Sequence, residues 1–189
     1  LVSGAVPGLF DLLELGDTVG FTGSASTAER LRVQARPGVR FTSETDSINA
    51  SVLGPDAVPG TPEFDAFVRQ VLAELVTKAG QKCTAIRRTI VPAGIEPAFV
   101  SALSEKLAER VILGDPHAEG VTMGPLVSRA QRDEVLRQVA ALEGAGGRVV
   151  IGSTAEPEVV RADGSTGTSP DGAFVAPIVL AFDPDHALA

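Results

Sequence analysis

The stretch AGQKCTAIRR, residues 79–88, determines how the chain around it is predicted to fold, because it lies between two strong secondary-structure signals. Before it, apolar residues recur at helical spacing: Phe64, Phe67, Val68, Val71, Leu72, Leu75 and Val76. Thr61 suits the cap of this helix, Pro62 suits its first turn, and Gly80 is expected to end it. After it, residues 86–91 alternate apolar and polar side chains, which predicts a strand. The stretch is therefore a short connection between a helix and a strand.

Cys83, the single cysteine of the sequence, is the candidate nucleophile on this connection. Rigid elements on both sides are the usual support of a reactive group. A cysteine reacts as the thiolate, so a nearby cation is needed to favour the charged form at neutral pH. Lys82, Arg87 and Arg88 supply that charge if their side chains face the sulfur. The alternative interpretation is that Cys83 is a small buried hydrophobic residue.

The composition excludes several classes of protein. A formal net charge of −8 over 189 residues, with no basic patch, argues against a surface for nucleic acid or anionic membrane. One cysteine forms no internal disulfide, and no apolar run approaches a membrane span, so a reducing cytoplasm is expected. His, Cys and carboxylate residues show no ligand spacing, so we expect no metal site, and His117 is expected to be a solvated loop residue.

Upstream of the helix, a strand and a glycine turn are predicted. Thr18 to Phe21 has the pattern of a buried strand, and it leads into Thr22, Gly23 and Ser24 before a helix. Such a turn directs backbone N–H groups from a helix N-terminus, where a phosphate is favoured. By itself the pair Gly23-Ser24 is a weak signal, because most turns of this kind bind nothing. The chain also begins at Leu1 and stops without a recognisable last element, and we expect it to be a fragment of a longer protein.

Glu44 is the second candidate for chemistry. It lies in an otherwise uncharged strand-to-loop stretch, within the sequence Glu44-Thr45-Asp46-Ser47-Ile48-Asn49. A solvated surface acid is the alternative for any such glutamate. We expect Asp46 and Asn49 to act as turn and hydrogen-bonding residues.

Downstream of Cys83, the pattern predicts an α/β unit with a largely parallel sheet. Helices are expected over residues 97–110 and from the capping residue Ser128 to about Leu142, and strands over residues 148–151 and 172–180. Residues 152–172 are rich in Ser, Thr, Gly, Pro and Asp, and are expected to form an exposed excursion that is partly disordered.

The segment Gly80-Gln81-Lys82-Cys83-Thr84-Ala85, followed by Arg88, resembles the nucleophile segment of the aldehyde dehydrogenase superfamily. Within it, the run from Lys82 to Arg88 is most similar to the PaaZ-type bifunctional proteins of phenylacetate degradation. The Glu44 hexapeptide resembles the same branch, which has Glu-x-Asp-Ser-x-Asn around the water-activating glutamate. The turn at Gly23 and Ser24 resembles the superfamily's phosphate-approach turn, although Ala28 stands where the second glycine is expected.

This resemblance implies a fold and two domains. It implies an aldehyde dehydrogenase-like α/β fold, with residues 1–43 as the end of a Rossmann-like NAD(P)-binding domain and residues 44–189 as a truncated catalytic domain. Cys83 would be the nucleophile and Glu44 the water-activating base, while Gly23 and Ser24 would contact the cofactor.

The resemblance also implies a reaction and its partners. The reaction would be oxidation of a small, CoA-linked semialdehyde through a cysteine thioester, with NAD or NADP as cofactor and a homo-oligomeric enzyme. The fragment itself would be inactive. Two alternatives remain: a CoA-acylating dehydrogenase, which does not require the acid at Glu44, and a non-catalytic oligomerisation domain in which Cys83 is merely buried.

Overall fold

The computed structural model describes Gly4 and residues 8–183. The chain divides into two compact units, with the boundary after Ile48. Among the described residues, no helix is both long and apolar enough to span a membrane.

The first unit consists of two parallel strands joined by a helix. After a 3-10 turn at Leu9–Leu12, strand β1 spans Thr18–Gly23, helix α1 spans Ala25–Arg32 and strand β2 spans Arg40–Thr45. β1 and β2 pair in parallel, with Gly23 opposite Thr45. Parallel neighbours need a crossover connection, which α1 provides. The predicted strand is present, but β1 is half-buried or exposed along its length rather than buried, because one eight-residue helix covers little of a two-stranded sheet.

The second unit is organised around two packed helices. Strand β3 spans Asn49–Val52 and pairs in parallel with β4, Ile86–Ile90, and helix α2, Pro62–Val76, lies between them in sequence. Helix α3 spans Glu96–Arg110, and its Phe99 ring lies 5.4 Å from the Phe67 ring of α2. The core consists of Leu53, Ala57, Phe64, Val68, Val71, Leu72, Ile95, Phe99, Leu103, Leu107 and Ile151. The helical spacing therefore predicted the buried face of α2 correctly, and the predicted helix over residues 97–110 is present as α3.

The cap of α2 is also as predicted. The Thr61 hydroxyl accepts a hydrogen bond from the Phe64 N–H at 3.3 Å, and Pro62 occupies the first turn, where its missing N–H costs nothing. The helix ends at Val76, four residues before the predicted end at Gly80, and a 3-10 turn at Thr77–Gly80 follows.

The last part of the chain contains helix α4 and four short strands. Helix α4 spans Arg129–Gly144 and is capped by Ser128, whose hydroxyl accepts from the Gln131 N–H. Strands β5, β6, β7 and β8 span Arg148–Ile151, Glu158–Val160, Thr166–Thr168 and Val179–Ala181. β5 pairs with β8, and β6 pairs with β7.

Two expectations for this region are wrong. Both of its strand pairs are antiparallel, so the sheet after Cys83 is not largely parallel. The chain between β5 and β8 contains the β6–β7 hairpin and no helix, whereas a helix is the usual crossover between parallel neighbours. The same hairpin replaces the predicted partly disordered excursion over residues 152–172. The last strand is also shorter than predicted, since it begins at Val179.

Candidate active site

The candidate nucleophile lies on a loop with an unusual backbone. Between Val76 and the start of β4 at Ile86, Lys78 and Ala79 both adopt a left-handed conformation with φ of 53°, and Gly80 has φ of 72°. This conformation is free for glycine but strained for residues with a Cβ atom. Three consecutive residues of this kind turn the chain sharply out of α2, so the loop needs other contacts to hold it.

Side chains supply those contacts by binding the backbone carbonyls of the loop. The Arg87 guanidinium donates from Nη1 to the Gly80 oxygen at 3.0 Å and from Nη2 to the Lys82 oxygen at 3.1 Å. The Asn49 amide nitrogen donates to the Cys83 oxygen at 2.7 Å and to the Ala85 oxygen at 3.1 Å. The carbonyls on both sides of the Cys83 α-carbon are therefore held by side chains.

Gln81 connects the loop to a segment far along the sequence. Its amide oxygen accepts from the Val127 N–H at 2.9 Å, and its amide nitrogen donates to the Lys78 oxygen at 3.0 Å and to the Pro125 oxygen at 3.5 Å. This explains a glutamine beside the nucleophile: a side chain with both a donor and an acceptor can tie two backbone segments together. Gln81 is part of the motif that was recognised in the sequence, but the sequence does not indicate which residues it contacts.

Cys83 itself is exposed in this chain. It occupies a turn in which the Ala85 N–H donates to the Lys82 oxygen at 3.2 Å. Among the residues that the structure describes, no acceptor receives the Cys83 N–H. An exposed thiol and an unused N–H of the same residue are thus available together, and the alternative of a cysteine buried in the core of this chain is wrong.

Two of the three cations that lie near Cys83 in the sequence, Lys82 and Arg87, have other partners. The Lys82 ammonium lies 2.8 Å from Glu74 Oε1, and both side chains are largely buried, at 24% and 13% exposed. Arg87 is committed to the two loop carbonyls. The condition under which Lys82 and Arg87 would favour the thiolate, with their charges turned toward the sulfur, is therefore not what these contacts show. Glu74, which sequence reasoning missed, gave no signal because it is one of several acids on a helix.

Glu44 lies on β2 in the first unit and is exposed. It is directly opposite Thr22, and the next pair in the register joins Gly23 with Thr45. Glu44, Gly23 and Ser24 are therefore brought to the same end of the β1–β2 pair, while Cys83 belongs to the second unit.

The turn at Gly23 and Ser24 leads directly into α1. Ser24 is the N-cap, and its hydroxyl accepts from the Thr27 N–H and lies 3.3 Å from the Ser26 hydroxyl. The next backbone donor, the Ala25 N–H, is bound to the Asp46 carboxylate at 3.1 Å. Sequence reasoning expected a hydrogen-bonding role for Asp46, and this contact confirms one. A carboxylate of the protein thus occupies the helix N-terminus, the place where an anion is favoured.

Asp115 and His117 form a local pair on an exposed loop. The His117 backbone N–H and ring nitrogen both hydrogen-bond to Asp115, which lowers the pKa of that carboxyl below its usual value. The His117 side chain is 91% exposed, as expected for a solvated loop histidine. Within the described part of the chain, no three His, Cys, Asp or Glu side chains converge as metal ligands would.

Comparison with known proteins identifies relatives over almost the whole chain. The model of the aldehyde dehydrogenase family matches residues 15–189. A 3,4-dehydroadipyl-CoA semialdehyde dehydrogenase from Aromatoleum evansii is 45% identical, over 97% of this chain and 35% of its own length. A betaine aldehyde dehydrogenase from Cereibacter sphaeroides is 31% identical, over 95% of this chain and 36% of its own. The chain thus spans about a third of the length of these relatives.

Solved structures agree with this result. A crystal structure of an apo betaine aldehyde dehydrogenase mutant from Staphylococcus aureus has a TM-score of 0.76 and 25% identity, and covers 94% of this chain and 33% of its own. A methylmalonate-semialdehyde dehydrogenase from Oceanimonas doudoroffii, at 22% identity, shares the fold with a TM-score of 0.74, over 90% of this chain and 33% of its own. By its sequence and by its α/β fold, the chain belongs to the aldehyde dehydrogenase family.

Proposed function

We propose that this chain is the nucleophile-bearing part of an NAD-dependent dehydrogenase that oxidises a CoA-linked semialdehyde to the acid during the breakdown of aromatic compounds. The observation that carries the proposal is the exposed Cys83 thiol beside its own unused N–H, on a loop whose carbonyls are held on both sides. The substrate class follows the relative named a 3,4-dehydroadipyl-CoA semialdehyde dehydrogenase. Phenylacetate degradation, a cytoplasmic location and a homo-oligomeric enzyme belong to the same proposal through the PaaZ-type resemblance.

The covalent step falls to Cys83. Its sulfur adds to the aldehyde carbon, and the carbonyl oxygen becomes an oxyanion that the Cys83 N–H can receive. The chemistry that a bound nicotinamide dinucleotide supplies is acceptance of the hydride released as this oxyanion collapses to a thioester. A reactive thiol is in keeping with the Staphylococcus aureus relative, which was crystallised with a BME-modified cysteine.

Release of the acid falls to Glu44. Its carboxylate takes a proton from water, the hydroxide adds to the thioester carbon, and the C–S bond breaks to return the Cys83 thiolate and the free acid. Its exposure on β2 leaves both carboxylate oxygens accessible to water.

Gly23 and Ser24 are proposed to contact a phosphate of the cofactor. The hydroxyls of Ser24 and Ser26 are both exposed and lie 3.3 Å apart, and a phosphate oxygen that binds Ser24 would replace the Thr27 Oγ1 atom to which this hydroxyl now donates at 2.9 Å. The Ala25 N–H fits a phosphate only if the Asp46 carboxylate releases it. NAD is preferred over NADP because relatives from Staphylococcus aureus were crystallised with NAD+.

The roles of Cys83 and Glu44 can be tested by rapid mixing of the protein, at its full natural length, with NAD and a CoA-linked semialdehyde. Glu44→Gln should retain a burst of one NADH per site and lose steady turnover, whereas Cys83→Ser should lose both. Glu29→Gln, at an exposed position of α1, is the matched control and should behave as the wild type. Loss of the burst in Glu44→Gln would contradict its role as the base.

The same assay separates the two alternatives. In a CoA-acylating dehydrogenase, free CoA takes the acyl group from Cys83, so added CoA would restore turnover to Glu44→Gln and yield a thioester product. In a non-catalytic oligomerisation domain, no NADH forms with any variant. The exposed Cys83 thiol argues against an oligomerisation domain in which this cysteine is buried.

A further inference from the structure

We infer that Arg87 is a positioning residue: it fixes the direction of the Cys83 N–H, so that this group is ready to receive the oxyanion before substrate arrives. The inference rests on the proposed function, because it assumes that Cys83 attacks a carbonyl. It assigns to Arg87 a task that involves neither the substrate nor the sulfur.

The Arg87 guanidinium binds two carbonyl oxygens of the loop at once. Arg87 donates to the Gly80 and Lys82 oxygens at 3.0 and 3.1 Å through two different nitrogens. The guanidinium is planar and its donors keep a fixed angle, so two bonds set the orientation as well as the distance of the carbonyls. These carbonyls lie on either side of Gln81, in the stretch that follows the left-handed turn.

A planar peptide group links the Lys82 carbonyl rigidly to the Cys83 N–H. The Lys82 carbonyl and the Cys83 N–H belong to one peptide group, and the described residues contain no cis peptide bond. In a trans peptide the C=O and the N–H point in opposite directions, so a held carbonyl oxygen also holds the N–H. Arg87 therefore turns the Cys83 N–H away from the loop interior, where it meets no acceptor among the described residues.

The peptide group on the other side of the Cys83 α-carbon is also held, so neither flanking peptide group is free to rotate. The Lys82 oxygen also accepts the Ala85 N–H, and Asn49 holds the carbonyl of Cys83 itself. Both peptide groups that flank the Cys83 α-carbon are thus fixed from outside the loop. An oxyanion donor is effective when it is aimed in advance, and loss of one donor lowers the rate by about 100-fold or more.

The experiment compares two reactions of the same thiol in the protein at its full natural length, without NAD. Acylation by p-nitrophenyl acetate passes through a tetrahedral oxyanion and releases nitrophenolate. Alkylation by iodoacetamide displaces iodide at a saturated carbon and forms no oxyanion. We expect Arg87→Lys to slow acylation by about 100-fold, and to leave alkylation within about twofold, because a lysine keeps the charge and loses the planar fork.

Two further variants sharpen the test. Arg87→Ala should show the same selective loss, and millimolar guanidinium ion should partly restore acylation without changing alkylation. Arg148→Lys, at an exposed position on β5, is the matched control and should leave both rates unchanged. The thermal unfolding midpoint of each variant checks that the fold is retained.

Each outcome has a distinct meaning. Equal losses in acylation and alkylation, or no loss in either, would overturn the positioning role, since Arg87 would then act on the thiol, on the fold or on nothing. If wild-type Cys83 is alkylated but never acylated, the proposed function itself fails, and the inference fails with it. Selective loss of acylation, restored by guanidinium, would support the inference.

Discussion

Replacement of Asn49 should show how much the loop around Cys83 depends on side chains. Asn49 donates to the Cys83 oxygen at 2.7 Å and to the Ala85 oxygen at 3.1 Å from a half-buried position. A hydrogen bond of this kind contributes a net of about 0.5–1.5 kcal/mol, so Asn49→Ala should lower the free energy of unfolding by about 1–3 kcal/mol. Asn49→Asp has almost the same shape, but at pH 7 it presents a carboxylate oxygen to both carbonyls. It should therefore destabilise at least as much as alanine.

The assay is urea unfolding followed by far-UV circular dichroism, because the sequence has no Trp or Tyr for fluorescence. The helical signal reports mainly on the second unit, which contains α2, α3 and α4. Ser104→Glu adds the same charge at an exposed position of α3, within the second unit, and should leave the unfolding midpoint unchanged. If Asn49→Asp lowers the free energy of unfolding less than Asn49→Ala does, the Asn49 side chain stabilises the loop by filling space. That result would refute the claim that it stabilises the loop by donating hydrogen bonds.

Two other predictions concern the loop backbone and an exposed acid. Ala79→Gly should raise the free energy of unfolding by about 1 kcal/mol, because it relieves a left-handed conformation with φ of 53°; a loss measured by the same urea assay would contradict the strain. Asp115 should titrate below the usual range for aspartate in carboxyl-carbon NMR, because hydrogen bonds from the His117 N–H and ring lower its pKa. A lowered pKa in the folded state means that the stabilisation is present above the ordinary aspartate pKa and is lost as pH falls through the lowered value. His117→Ala removes only the ring's hydrogen bond and keeps the backbone N–H, which is the larger cause, so the pKa of Asp115 should rise only part of the way toward its usual value; an unchanged pKa would exclude the ring as a cause.

The sequence predicted the elements whose apolar pattern is decided by a core. Apolar residues of α2 and α3 recur at helical spacing because one face of each helix is buried in a shared core. This core includes Phe64 and Val68 of α2 and Phe99 and Leu103 of α3. It failed where local composition misrepresents the structure. The β6–β7 hairpin lies in a stretch rich in Ser, Thr and Gly that resembles a loop, and its strands are only three residues long.

The candidate site could be predicted in its residues but not in its contacts. Cys83 and Glu44 were identified from motifs, and their chemical roles stay predictions. Two of the three partners of Gln81 lie 44 and 46 residues away, and Asn49 is 34 residues from Cys83, so no local pattern indicates these contacts. The sequence left the direction of Lys82 and Arg87 open, because charge alone does not reveal that Glu74 and two backbone carbonyls bind them.

These contacts explain how the loop keeps a strained backbone. A residue with a Cβ atom in the left-handed region costs about 1–2 kcal/mol, and Lys78 and Ala79 both adopt it. Such a backbone persists only where its surroundings determine it by other means. Here the hydrogen bonds that hold the loop come from the side chains of Asn49, Gln81 and Arg87. Gln81 ties the loop to the Pro125 and Val127 segment, while Arg87 and Asn49 hold the two peptide groups beside Cys83. A nucleophile that attacks a carbonyl in one orientation requires such a fixed backbone.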